Sequence, residues 1–481
     1  MPGLSQQLLR RKPIAPPRGD HEGPELARSL GTFSLMMFGV GATVGTGIFF
    51  VLQEAVPDAG PAVVVSFVVA GIAAGLSALC YAELASSIPV SGSTYSFTYH
   101  SMGELMAMVI AACVLLEYGV AASAVAVGWS GYFNELLDST IGVALPDALS
   151  YSPVPYEDNV TGLVNLPAVV LVLLCTVLLV RGASESARVN SIMVLVKLGV
   201  LMLFVVVALT AFEADRFDGF FASGSAGISA AAGTIFFSFI GLDAVSTAGE
   251  EVRDPQRALP RAIMGALAIV VAVYLLVAFA GVGSQPLAEF SSDEQQSAGL
   301  SVILENITGS SVPGTIVAAG AVISIFSVTL VTLYGQTRIL FAMGRDRMLP
   351  DRFAAVSSRT LTPTFNTVVV GIVVALIAGF VPADYLWDTV SIGTLVAFSV
   401  VAISILILRR TQPDLERPFR VPGYPVTPVL TIAACAYVLS GLAAVTWLIF
   451  GTWLAVVLVF YAVWGRHHSR LQTGEHEGAS L

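Results

Sequence analysis

The chain holds 481 residues, 56% of them hydrophobic and only 12% charged, with a formal net charge of −10. Soluble domains carry about a quarter charged residues, and the succession of apolar runs of about 18–25 residues excludes that class here. The composition predicts an all-α polytopic membrane protein lying in the lipid bilayer of a cell membrane.

The opening stretch, residues 1–30, is polar and basic. It lacks the short apolar core and small-residue cleavage site of a signal peptide, and it reads as a cytoplasmic segment. Candidate spans follow at 33–53, 62–87, 104–132, 166–181, 189–211, 228–249, 262–283, 313–338, 364–381, 386–408, 427–446 and 449–465, twelve in all. With the amino terminus inside, 21 of the 23 Lys and Arg residues fall on inner segments. Arg216 falls in an outer loop and Lys197 inside the fifth span. This sorting follows the positive-inside rule and predicts that both termini are cytoplasmic.

The outer loops are acidic, as in Glu135, Asp138, Asp147, Glu157 and Asp158, and again in Glu289, Asp293, Glu294 and Glu305. They read as solvated faces of an extracytoplasmic medium. Cys80, Cys113, Cys175 and Cys435 all lie within apolar runs and read as helix-packing residues. The terminal histidines His467, His468 and His476 read as part of a solvated tail, 466–481. No nucleophile–base pair, zinc-type spacing or phosphate-binding loop emerges, so neither an enzyme nor a bound metal or cofactor is expected, and no nucleic-acid partner.

Two spans are interrupted. The first contains GVGATVGTGIFF at 39–50, with four glycines and two threonines at mid-depth. The sixth contains GTIFFSFIGLDAVSTAGEEV at 233–252, where Ser238, Gly241 and Asp243 break the apolar run. Glycine is the poorest ordinary helix former. Unwound backbone at membrane depth is tolerated only where protein or a polar cavity satisfies it. Spans one and six are five apart, so each opens a block of five helices, and blocks of five enter the membrane from opposite sides. Broken helices at matching places in two inverted halves point to a transport site. The division is then 31–225 for the first half, 226–411 for the second, and 412–465 for a linker with helices eleven and twelve. Those last two helices carry no buried ionisable residue. They are expected to pack on the core or on a neighbour, either a second copy of the chain or a small membrane protein.

At these motifs the sequence resembles the amino acid–polyamine–organocation superfamily, and within it bacterial members of the cationic amino acid transporter family. The matching stretches are GVGATVGTGIF, LSALCYAELASSIPVSGSTYSFTYHSMGE, LEYGVAASAVAVGWSGYF, FFSFIGLDAVSTAGEEVRDPQRALPRAI and YGQTRILFAMGRDRMLP, in order between residue 31 and about 425. The resemblance implies a five-plus-five inverted-repeat fold and secondary transport of an L-amino acid, with protons as coupling ion, by alternating access. Exchange or facilitated passage without protons is the alternative, in which Lys197 is a fixed structural cation.

The resemblance also implies a site. The half-helix resuming near Thr46 presents a partly positive end to an α-carboxylate. The family pattern sets that carboxylate against the amides of Thr43, Thr46 and Gly47, with Gly41 and Gly45 permitting the turn. The carbonyls of Phe237, Ser238 and Ile240 would receive the α-ammonium, with Phe237 or Phe239 as a gate. Asp243 is read as capping freed donors of the resumed sixth helix, and Glu83 as a gate or interface carboxylate. Lys197 either snorkels to the headgroups or, as in proton-coupled relatives, meets span-one carbonyls and span eight where sodium-coupled relatives hold a cation. Glu117 is a candidate partner of Lys197, proton relay or counter-charge for a cationic solute, and Thr332 leaves room for a side chain.

Overall fold

A computed structural model describes residues 9–14, 26–143, 145–154, 161–291, 299–382, 384–439 and 444–473. Arg18, His21, Glu157, Asp158, Asp293, Glu294 and His476 lie outside the described residues, as do the side chains of Thr46 and Glu135. Among the described residues the chain is helical throughout, with one isolated bridge between Leu30 and Val252. Seven helical stretches of the described residues are long and apolar enough to cross a membrane by length and composition, and five shorter apolar helices accompany them there.

The main helices are α1 (Thr32–Thr43), α2 (Thr46–Ala59), α3 (Val63–Ser87), α4 (Ser93–Ser101), α5 (Glu104–Ile141), α6 (Leu166–Arg181), α7 (Ala183–Ala208) and α8 (Gly224–Phe237). They continue as α9 (Ala244–Thr247), α10 (Pro255–Ser284), α11 (Leu300–Thr308), α12 (Ser311–Arg345), α13 (Thr364–Phe380), α14 (Asp384–Thr411), α15 (Val426–Leu439) and α16 (Ala444–Phe460). Several boundaries move from their sequence positions. The third span runs on to Ile141 and the fifth begins at Ala183 rather than near 189. The seventh begins at Pro255 rather than near 262, and the eighth runs on to Arg345. Polar turns extend a helix already nucleated by its apolar stretch, and an apolar window does not register them.

Both interrupted spans are broken. After α1, Val44 is extended (φ −77°, ψ 94°) and Gly45 leaves helical space (φ −138°, ψ −146°) before α2 begins. α8 ends at Phe237 in tightening i→i+3 bonds: Ser238 to Ile235, Phe239 to Phe236, and Ile240 to Phe237, at 2.9–3.2 Å. The chain then turns through Gly241 at φ +112°, where an added Cβ would lie 2.8 Å from the Ala42 carbonyl oxygen. Only glycine meets both demands, and the two breaks therefore touch.

The bridge at Leu30 and Val252 ties the segment before α1 to the segment after α9, through Leu30 N–H to Glu251 O (2.9 Å) and Arg253 N–H to Leu30 O (3.1 Å). Around the breaks, α10 packs on α3, α1 and α7, while α5 packs on α12 and α14. α8 lies on α2 and α3, and α7 lies on α12. α15 packs on α14 and α3, and α16 on α5 and α14, where Trp453 donates to the Ala112 carbonyl at 2.8 Å. Broad apolar faces of α6, α7, α13 and α16 stay uncovered, as at Leu174, Val206, Leu376 and Leu448, as lipid-facing helices require.

Candidate functional site

The end of α1 leaves carbonyls without intrahelical partners. Polar groups from three other helices take them up. Lys197 of α7 donates to Gly41 O at 2.9 Å and Val44 O at 2.5 Å, and stands 3.5 Å from Ser327 Oγ. Ser324 of α12 donates to Val44 O (2.9 Å), and Tyr274 of α10 donates to Thr43 O (3.0 Å). Asn190, two turns before Lys197, donates to Met37 O (3.0 Å) and accepts from Ser327 (2.7 Å). Lys197 has no solvent exposure; its ammonium points to the break and not to the headgroups. Charge at this depth costs about 2.5–3.5 kcal/mol on insertion scales, which three oxygen neighbours offset in part.

Tyr274 is the hinge pin between the two breaks. Its hydroxyl lies 3.0 Å from both Thr43 O and Ser238 O, and its ring packs on Phe67 and Phe239. Gly47 opens the next contact: a Cβ there would sit 2.5 Å from Ser238 Oγ. The start of α2 and the end of α8 thus face each other at close range.

A cavity of about 80 Å³ opens at this junction. Thr43, Gly45 and Gly47 line it from the first break, and Phe237, Ser238, Ile240, Gly241 and Asp243 from the second. Glu117, Tyr118, Ala121 and Val125 come from α5, Val328 and Thr332 from α12, and Val390 from α14. Of the residues named in the sequence, Gly41 stands behind the cavity against Asn190, whose Oδ1 would be 2.6 Å from an added Cβ. Thr46 contributes the first turn of α2.

Three placements differ from expectation. Phe239 is buried against Tyr274 and does not line the cavity, leaving Phe237 and Tyr118 as aromatic residues at its wall. Asp243 stands at the N-cap of α9 without closing a cap bond; the amides of Asp243 and Ala244 lie beside its carboxylate, and its Oδ2 accepts from Tyr118 Oη at 2.5 Å. Glu117 faces the cavity beside Thr394 and across from Asp243, whereas the oxygens that hold Lys197 come from α1 and α12. The two acid–base groups therefore lie in separate settings. Thr332 bonds its own helix, through Oγ1 to Val328 O (2.9 Å), and lines the cavity.

Tyr274, Asn190, Tyr118, Ser324 and Ser327 escaped the sequence reading. A signal existed for some of them. Asn190 and Lys197 are seven apart, and Ser324 and Ser327 three apart, so each pair shares one helix face.

The comparisons with known proteins fit this geometry. A family model described as amino acid permease matches residues 30–466, most of the chain. The chain belongs to the amino acid permease family. It is 43% identical over 446 residues to the branched-chain amino acid permease BcaP of Bacillus subtilis, covering 93% of this chain and 95% of that one. It is 40% identical over 466 residues to the methylthioribose transporter of the same organism, covering 96% and 99%. It is 38% identical over 424 residues to the vacuolar cationic amino acid transporter 2 of Arabidopsis thaliana, covering 86% and 65%. The permease is a transporter and not an enzyme.

The arginine-rich end of the permease is closed by ion pairs. Arg338 and Glu251, both buried, pair at 2.7 Å, with Tyr334 Oη donating to the same carboxylate oxygen at 2.8 Å. Arg345 pairs with Glu250 through two bonds of 2.7 and 2.8 Å. Glu83 accepts from Arg409 and from Val421 N–H at 2.5–2.9 Å, fastening α3 to the linker that leads to α15. Residues 9–14 lie against α4: Lys12 pairs with Asp346 at 2.6 Å, and its carbonyl meets His100 Nδ1 at 2.9 Å. Burial opposes ionisation of Asp346, but Lys12 and Arg345 outweigh it and hold the carboxyl below its ordinary range.

Proposed function

We propose that this permease takes up a neutral aliphatic L-amino acid across the cell membrane, together with protons, by alternating access. The observation that carries the reading is the cavity at two touching helix breaks, one ending in amides and the other in carbonyls. The first turn of α2, where Gly47 lines the cavity, has a partly positive end that suits an α-carboxylate. The carbonyls at the end of α8 suit an α-ammonium; that of Ser238 accepts one bond, from Tyr274 Oη, and keeps a second lone pair. The remaining wall, formed by Ala121, Val125, Phe237, Ile240, Val328 and Val390, is apolar. An aliphatic side chain gains about 25 cal/mol per Å² on leaving water for such a wall. The likeness to a branched-chain amino acid permease supports the same choice.

The proton is assigned to Lys197. As an ammonium it holds Gly41 and Val44 of the first break against α7 and α12. Loss of one N–H proton removes the positive charge and one of the three donors, which weakens the hold on these carbonyls and frees α1 to move relative to α7. The two five-helix blocks, 31–225 and 226–411, then rock about the cavity. Both termini are placed in the cytoplasm, on the evidence of the basic residues. A second reading, cationic substrates, draws on the Glu117 and Asp243 carboxylates at the cavity floor.

The test uses purified permease. Thermal stabilisation by each common amino acid follows mass action, and in proteoliposomes an internal pH dye reports proton entry with substrate. Leucine, isoleucine or valine is expected to stabilise most, with proton uptake that disappears in Lys197→Gln while stabilisation remains. Stabilisation by arginine or lysine alone sinks the aliphatic assignment. Wild-type uptake without protons leaves the exchanger or facilitator.

A further inference from the structure

Asp243 also borders a second, smaller hollow of about 10 Å³, between α3, the turn 239–243, α10 and α14. Its polar lining consists of Asp243, Ser77 and Tyr81, set among apolar groups such as Phe239 and Leu242. Asp243 borders both spaces and is only 4% exposed. One oxygen is held by Tyr118; the other, Oδ1, receives no hydrogen bond. A buried carboxylate oxygen left without a donor is costly, and packing alone gives no reason for it to border a hollow. Three polar groups and this space suit about one water.

From Tyr81 a run of buried hydroxyls leads toward the arginine-rich end. Tyr81 Oη lies 2.8 Å from Thr94 Oγ1, Thr94 lies 3.5 Å from Ser93 Oγ, and Ser93 lies 2.6 Å from Ser246 Oγ. Ser246 donates to its own helix at Asp243 O (2.6 Å), so Ser93 must donate to Ser246. By the same logic Thr94 donates to Ser93 and Tyr81 to Thr94. The hydroxyls point one way, leaving the lone pairs of Tyr81 free to accept on the side of the hollow. Ser93 and Ser246 belong to α4 and α9, two elements that part if the arginine-rich end opens.

We propose that Asp243 hands protons from the substrate cavity toward the cytoplasm through a water in the second hollow and the relay Tyr81, Thr94 and Ser93. This rests on the proton-coupled reading above and adds a second group to it: Lys197 holds or frees the first break, and Asp243 conducts a proton out. In the step, the Asp243 carboxyl O–H breaks and the water takes the proton, passing one of its own to Tyr81 Oη. Tyr81 gives its phenolic proton to Thr94, Thr94 gives its own to Ser93, and Ser93 gives its own to solvent at the opened end. Asp243 is left as a carboxylate, and every hydroxyl is again neutral but turned around. The titratable groups facing Asp243 are Glu117 and Tyr118 from α5 and Tyr81 from α3; α10 and α14 present Ile263 and Phe398.

The test compares full-length wild type, Tyr81→Phe and Thr94→Val in proteoliposomes. Each variant keeps most of its side-chain volume, and a thermal midpoint within a few degrees of wild type shows that it folds. Uptake driven by an imposed pH gradient is expected to fall about tenfold in both, while counterflow of labelled leucine at equal pH stays within about twofold. Wild-type proton uptake with both variants at full gradient-driven rate overturns the relay and leaves the proton-coupled reading standing. A wild type that moves leucine without protons overturns both. Equal losses in gradient-driven uptake and counterflow overturn the relay in favour of a packing role.

Discussion

At the scale of single residues, the site depends on side chains that substitute for missing helix bonds. Lys197, Ser324 and Tyr274 each replace a donor that an unbroken first span would supply from its own backbone. Tyr274 is the most economical of them, since one hydroxyl serves carbonyls of both breaks. Tyr274→Phe keeps the ring against Phe67 and Phe239 but leaves Thr43 O and Ser238 O short of a donor. A buried polar group so orphaned costs about 1–3 kcal/mol. The variant is therefore expected to melt several degrees lower in detergent and to take up substrate more slowly. If its melting point and uptake both match wild type, the hydroxyl does not join the breaks. GVGATVGTGIFF announced that a break existed; nothing in it says that a tyrosine more than 200 positions later closes the gap.

At the scale of elements, α4 and the strap of residues 9–14 bind through polar contacts more than apolar ones. His100 is enclosed there. Its burial first, and then the nearby Lys12 charge, lower its pKa from 6.5 to about 4. The unfolded chain takes up this proton near pH 6.5, while the folded one refuses it until about pH 4. Between those values the unfolded state binds more protons, so stability is complete above about 6.5 and is lost as pH falls toward 4. Between pH 7 and 5 the loss is about 2 kcal/mol. His100→Asn is expected to flatten the fall in melting point across that range, and an unchanged slope rules the histidine out. His100 falls between the second and third apolar spans of the sequence, 62–87 and 104–132. The short helix around it, STYSFTYHS, has no apolar stripe, because it is buried on every side and its hydroxyls find partners there.

At the scale of the whole molecule, the distribution of charge sets orientation. Arg338, Arg345 and Arg409 and their carboxylate partners gather at one end, and the four native cysteines are buried thiols. Single cysteines introduced at Arg420 and Asp215, both exposed, are therefore expected to react from opposite faces. A membrane-impermeant maleimide added to intact cells labels Asp215→Cys, and Arg420→Cys reacts only after lysis. Labelling of Arg420→Cys in intact cells reverses the proposed orientation.

The amino-acid order determined by itself that the chain is helical and membrane-embedded and that its first and sixth apolar runs cannot stay whole. Those are consequences of hydropathy and of glycine's backbone freedom, properties that a local window carries. Only the tertiary structure decided which side chains complete the broken ends, that Phe239 does not line the cavity, that Asp243 meets Tyr118, and that Glu117 and Lys197 stand apart. Such pairings link helices hundreds of residues apart, and they depend on which face each helix turns to its neighbours.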